Sequence, residues 1–180
     1  APPTPPVAQP LPAVPRTRTS SEAWLEAGGV YGVVPAASAS FGLGAGLSRG
    51  ALGASLSARY VLPRTSRGED RVRVRGTELD ALLTWRALPR LTLALGPDLQ
   101  LLRGRGVGVA RARSAWLVVA GPKLELRVRV LQRARGGLDL SGFAAVPVER
   151  PRFLVDEYGT VFRPAVTQFG VNLRYALLSR

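Results

Sequence analysis

The feature that most constrains this chain is a two-residue alternation that runs through nearly all of it. In residues 38–48, SASFGLGAGLS, one side holds Ala39, Phe41, Leu43, Ala45 and Leu47, and the other holds Ser38, Ser40, Gly42, Gly44 and Gly46. A helix would scatter both sets around its axis, whereas a strand sends successive side chains to opposite faces. Residues 51–62 repeat the pattern in the opposite parity, with Leu52, Ala54, Leu56, Ala58, Tyr60 and Leu62 against Gly53, Ser55, Ser57 and Arg59. The alternation predicts eight strands, at about 22–34, 38–48, 51–62, 71–87, 90–102, 113–130, 136–148 and 164–178. In the fourth, Val72 and Val74 are out of phase with Leu79, Ala81, Leu83 and Trp85, which a bulge or a strand projecting beyond a membrane would explain. No stretch approaches the roughly 20 apolar residues of a membrane helix, so the hydrophobicity is spread over every second residue.

The connections alternate in length. Short turns near Arg49-Gly50, Pro89 and Gly136-Gly137 face longer loops at 63–70, 103–112 and 149–163; the connection around Pro35-Ala36 is short but falls on the loop side. Residues 1–20 hold seven of the 15 prolines and favour extended polyproline II, which packs no core. The expected organisation is a disordered proline-rich segment, 1–20, acting as a periplasmic tether, followed by a barrel over 21–180. Ala1 is followed at once by prolines, without a basic start and an apolar run, so export would make this the processed form.

What faces the apolar stripe decides between a soluble and a membrane barrel. The second face carries Glu26, Arg59, Glu78, Asp80, Arg86, Asp98, Lys123, Glu125, Arg127, Arg129, Asp139 and Arg174, six acids and six bases. Buried charges persist only when paired, so a matched set padded by Ser and Gly predicts an ion-pair network filling the lumen of an eight-stranded transmembrane barrel. The solvated face of a soluble sandwich would leave unexplained why the opposite face is nearly free of charge in seven strands. On that apolar face, Tyr31, Phe41, Tyr60, Trp116 and Phe169 fall near the loop side and Trp85 and Tyr175 near the turn side, the two aromatic girdles of a bilayer-spanning barrel. Trp24 has inward parity and is expected at the periplasmic rim.

The last strand adds a resemblance. Residues 168–175, QFGVNLRY, with polar Gln168, Gly170, apolar Leu173 and aromatic Tyr175, resemble the C-terminal β-signal of outer-membrane proteins, here followed by Ala176 to Arg180. Residues 21–180 are similar in pattern to the small eight-stranded OmpA/OmpX-like barrels, without a motif that assigns a subfamily. The resemblance implies an all-β, antiparallel up-and-down barrel in the outer membrane of a Gram-negative cell, handled by the barrel assembly machinery.

Function narrows by subtraction. The chain has no His and no Cys, which removes the usual general base, metal ligand and thiolate. Serines such as Ser55 and Ser141 then have no ordinary activator. No catalytic residue, cofactor or metal site is expected. Eight strands enclose room for side chains only, so a narrow ion or small-solute channel is the second reading and a soluble lipocalin-like barrel the third.

The formal charge of +13 raises nucleic acid, but no platform of clustered basic and aromatic residues exists for stacking, and none is expected as a partner. Much of the charge sits at strand ends and loops, in Arg64, Arg67, Arg71, Arg73, Arg75, Arg103, Arg105, Arg111 and Arg113. Guanidinium groups there suit lipopolysaccharide phosphates. The loop 149–163 carries Phe153, Leu154, Tyr158 and Phe162, which either meet a surface protein or fold back over the barrel mouth; a periplasmic partner is the corresponding expectation for the tail. The function expected is a non-enzymatic structural or interaction scaffold.

Overall fold

The computed structural model describes residues 19–66, 71–107, 114–133, 136–150, 152–155 and 159–179. They form ten strands: β1 (Thr19–Tyr31), β2 (Ser38–Arg49), β3 (Leu52–Thr65), β4 (Arg71–Leu88), β5 (Leu91–Val107), β6 (Ser114–Arg133), β7 (Gly136–Ala145), β8 (Phe153–Val155), β9 (Gly159–Phe162) and β10 (Gln168–Ser179). Eight of them close into one antiparallel barrel in the order β1-β10-β7-β6-β5-β4-β3-β2, while β8 and β9 form a separate hairpin. Closure is complete: β1 meets β10 from Ser21 opposite Ser179 to Tyr31 opposite Phe169. A closed ladder leaves no unpaired edge, which hydrocarbon would penalise by roughly several kcal/mol for each open backbone group.

The alternation decides which face is which. Leu43, Leu56, Leu83, Leu95, Leu124 and Val171 all point outward and more than half of each is exposed. Apolar side chains of this kind ring the barrel as a continuous band, far more than a water-soluble monomer leaves uncovered. Polar residues of the other parity are buried, among them Arg59, Glu78, Lys123, Glu125 and Arg174. The molecule is apolar outside and charged inside.

Several boundaries differ from the sequence reading. Strand β1 begins at Thr19, so residues 19 and 20 belong to the barrel and not to the tail; residues 1–18, and the expectation of a disordered periplasmic tether, lie outside the described residues. Strand β5 extends to Val107, and β6 reaches Arg133 through a bulge between Arg129 and Leu131. The bulge at this end of β4 lies in its partner β3, between Val61 and Arg64 opposite Gly76 and Val74. Strand β4 itself keeps one register against β5 from Arg71 to Arg86, so the bulge does not put the valines out of phase. Instead Val72 and Val74 point into the loop-side end of the lumen, where the interior itself becomes apolar.

The described turns are tight. Gly50 adopts a positive φ of 66° between β2 and β3, and Gly32 one of 90° at the end of β1, conformations that glycine adopts without strain. In the long connection from β7 to β10, β9 packs against β4 and Phe162 lies against the buried valines. At Phe162, therefore, the loop folds back onto the barrel mouth; Tyr158 and the side chains of Phe153 and Leu154 lie outside the described residues. Arg150 Nε donates to the Pro164 carbonyl at 2.9 Å and Arg163 Nε to the Arg150 carbonyl at 3.1 Å, which ties the loop's base together. Arg163 is pushed below the usual arginine pKa, first by lost hydration and then by repulsion from Arg150 and Arg152.

Candidate functional site

The lumen is the part of the molecule whose chemistry is unusual. Its centre is Arg59, projecting from β3. Nε meets Glu26 Oε1 at 3.1 Å, Nη1 meets Glu78 Oε2 at 2.6 Å and Nη2 lies 3.6 Å from Asp80 Oδ2. Lys123 closes on the same Asp80, its Nζ 2.9 and 2.8 Å from the two carboxylate oxygens, and Ser57 donates to Asp80 Oδ2 at 3.0 Å. On the other side, Arg174 Nη2 bridges Glu26 Oε2 at 3.2 Å and Glu125 Oε1 at 3.3 Å. Glu125 in turn accepts from Arg127 Nε at 2.6 Å. The result is a chain of alternating charge, Arg127–Glu125–Arg174–Glu26–Arg59–Asp80–Lys123, which leaves β6, passes β10, β1, β3 and β4, and returns to β6.

Two aromatic rings sit inside this chain. Phe143 lies under both Arg59, at 4.7 Å, and Lys123, at 4.0 Å; Trp24 lies under Arg174, at 4.1 Å, and Arg127, at 5.6 Å. Each ring offers its negative face to two cations that must also share a narrow space. Glycines make that space: a Cβ on Gly44 would collide with the Trp24 indole, and one on Gly170 with the Phe143 ring. Both glycines lie directly across the ladder from the ring they accommodate.

At the turn side Arg129 grips Asp139 with two nitrogens, and its Nη2 lies 3.7 Å from Glu22. At the loop side the Gln100–Gln168 amide pair marks the end of the charged zone. Beyond it Val30, Val33, Val34, Val61, Val72, Val74, Leu102 and Val119 fill the bore with hydrocarbon, with Phe143 at their boundary with the charges. Among the described residues no group of three His, Cys, Asp or Glu side chains is placed to hold a metal.

Eleven of the twelve expected lumen residues are buried or half-buried and face inward; Arg86 is exposed near the end of β4 and makes no ion pair among the described residues. Its inward parity predicts a place in the network, but at that height the barrel has opened into a mouth. Asp98 is buried and forms no salt bridge among the described residues; its Oδ2 accepts from Gln100 Nε2 at 2.6 Å. Sequence reasoning missed Glu22, Gln100 and Phe143, and Trp24 is buried within the lumen instead of sitting at the rim. Its signal was the small-residue run Gly42, Gly44, Gly46 on the facing strand.

All seven girdle residues point outward, Tyr60 half-buried and the rest about half-exposed or more. Tyr31 pairs across the ladder with Phe169, and Phe41 with Tyr60 at a ring separation of 5.5 Å. Of the β-signal positions, Gln168 and Gly170 face the lumen and Leu173 and Tyr175 face outward. Among the arginines expected at the surface, Arg64 and Arg105 are exposed, and Arg103 lies against Trp116 at 5.4 Å. Arg67, Arg111, Arg113 and the side chain of Arg71 lie outside the described residues.

No family model matches the chain, and no curated protein sequence does. Solved structures do. Ail, the attachment invasion locus protein of Yersinia pestis, superimposes with a TM-score of 0.57 at 11% identity, over 89% of this chain and 97% of that one. A major outer membrane protein from Thermus thermophilus gives 0.57 at 13% identity, over 88% and 99%. The chain has the fold of the small eight-stranded outer-membrane β-barrels. Neisserial surface protein A, at 0.51 and 10% identity over 88% and 96%, shows the same fold. Identities this low assign no subfamily within these barrels.

Proposed function

We propose that this chain is an integral protein of the Gram-negative outer membrane that acts as a closed, non-enzymatic scaffold, presenting an arginine-rich outer surface. The observation that carries the reading is the filled bore. Among the described residues, a continuous ion-pair chain occupies its middle and a hydrocarbon plug its loop-side end, which supports a closed bore. The apolar band and paired girdles supply the membrane contact, and the short-turn side, with the tail, faces the periplasm. Gln168, Gly170, Leu173 and Tyr175 would be read by the barrel assembly machinery.

The expected partner on the outer leaflet is lipopolysaccharide. Arg73 stands opposite Arg105, and Arg75 opposite Arg103, on the outward face at the loop ends of β4 and β5. Like charges opposed across a ladder are destabilising unless an anion lies between them, and phosphates of the outer leaflet supply one bidentately. A partner protein at the surface or in the periplasm belongs to the same scaffold reading. Replacing Arg73, Arg75, Arg103 and Arg105 by Ser is expected to cut lipopolysaccharide co-purification several-fold while leaving the folded barrel intact. Undiminished co-purification would remove lipopolysaccharide as the partner.

The rival is a narrow channel, and one observation favours it: Asn172, Arg174 and Ser141 present buried polar atoms without protein partners along one wall. Planar-bilayer recording separates the two. The closed scaffold predicts no resolved current steps for a protein whose gel mobility changes on boiling; regular steps from the same preparation would establish the channel.

A further inference from the structure

Below the ion-pair chain the lumen opens at the turn side into a cavity of about 410 Å³, lined by residues of β1 to β7 and by the β4–β5 turn. Its loop-side end is shut by the valine plug, so it is a blind vestibule rather than one half of a pore. Its charges are unbalanced. Of the four lining arginines, Arg127 is committed to Glu125, and Arg129 to Asp139 and Glu22. Those last two, Glu22 and Asp139, are the acidic side chains of the lining, and both serve Arg129. Arg86 and Arg90 remain, and neither has an acidic partner among the described residues.

The free arginines are not scattered. Arg86 stands directly opposite Thr92 across the β4–β5 ladder, Thr84 lies one inward position along β4, and Arg90 comes from the turn that joins the two strands. All four line the vestibule, and the threonine hydroxyls form no hydrogen bond to any described residue. Two guanidinium groups and two hydroxyls that one hairpin brings to the same part of the lining make a donor set suited to a tetrahedral oxyanion. We infer that the vestibule binds a phosphate group on the short-turn side of the barrel, gripped by Arg86 and Arg90 and oriented by Thr84 and Thr92. A volume near 410 Å³ takes inorganic phosphate or a small phosphate monoester.

The chain's own tail is a poor occupant on charge alone. Residues 1–18 contain Arg16 and Arg18 and no acid, so they would add to the positive potential instead of neutralising it. Phosphates of the inner-leaflet lipids share the ligand's chemistry but reach the rim from outside the barrel wall, whereas these four side chains line the bore.

The test uses the full chain, refolded into nanodiscs of phosphatidylcholine alone, with inorganic phosphate titrated by calorimetry. Binding is expected, and Arg86→Ser is expected to weaken it by about tenfold, the equivalent of one charged hydrogen-bonding partner. Arg86→Lys should recover part of the loss, and Arg49→Ser, an exposed arginine at the same end of the barrel but outside the vestibule lining, should change nothing. Each variant is first checked for mobility change on boiling; if Arg86→Ser does not fold, Thr92→Val and Arg90→Ser carry the same expectation. No binding, or equal binding by folded wild type and every vestibule variant, overturns the inference. So does a response seen only after phosphatidylglycerol is added to the disc, which would make the arginines contacts for lipid headgroups. The membrane placement is read separately by the disc incorporation itself, so loss of phosphate binding leaves that reading standing.

Discussion

Replacing Arg59 by Leu is expected to lower the unfolding free energy of the barrel by about 3–5 kcal/mol, the range that loss of one partner from a buried ion pair costs. Arg59 is fully buried and is the one cation that touches Glu26, Glu78 and Asp80 together. Without it Glu26 keeps Arg174 and Asp80 keeps Lys123, but Glu78 loses its cation entirely. The next inward residue on the same strand, Asp80, is an acid of the same sign. Leucine also surrenders the contact with the Phe143 ring. The milder Glu78→Gln removes one acid and leaves Arg59 with two, so it should cost clearly less. Urea unfolding of the protein refolded into lipid vesicles, followed by tryptophan fluorescence, measures both. A loss under about 1 kcal/mol for Arg59→Leu is what an exposed pair would give, and it would mean that the network is solvated and does not close the bore.

The strands and their inward and outward faces are legible in the sequence because a period of two is a local property: each residue reports its side without reference to any distant one. Leu43 and Gly44 declare the orientation of β2 by themselves. The partners within the lumen are not local. Glu26 and Arg174 meet across 148 positions, and only the register of β1 against β10 brings them together. That register depends on barrel closure, which alternation does not specify. The phase change in β4 has a different origin. A lumen taken to be polar along its whole length makes Val72 and Val74 look out of phase, whereas the real interior changes from charges to hydrocarbon near Gln100 and Gln168. Arg86 departs from expectation for the converse reason, since inward parity near a strand end opens onto a vestibule and not onto a packed core. Parity places Trp24 on the correct face but says nothing of its depth; the glycines of β2, opposite it, are the signal that does. The hairpin of β8 and β9 is too short for any periodic signal to emerge.

The second large effect separates a membrane barrel from a soluble one at a single position. Leu124 lies midway along β6, facing outward, 52% exposed. Leu95 of β5 and Ala144 of β7 stand beside it, and Trp116 of the loop-side girdle lies eight residues earlier on the same strand. In a water-soluble protein an exposed leucine of this kind tolerates arginine, with a change within about ±0.5 kcal/mol. In a bilayer the same guanidinium sits at mid-depth, far from either headgroup layer, and Leu124→Arg is expected to cost about 2–4 kcal/mol. The cost should fall with distance from the midplane, so Val118→Arg, one outward position from Trp116, should cost less than half as much. Unfolding from vesicles of matched thickness gives both values on one scale. The gradient is the decisive part: a lumen or core defect would penalise both sites without regard to depth, whereas only a slab of hydrocarbon around the barrel orders them. Equal, near-zero effects at the two positions would put this band against water and overturn the membrane placement, while leaving the closed barrel and its inner ion pairs as they stand.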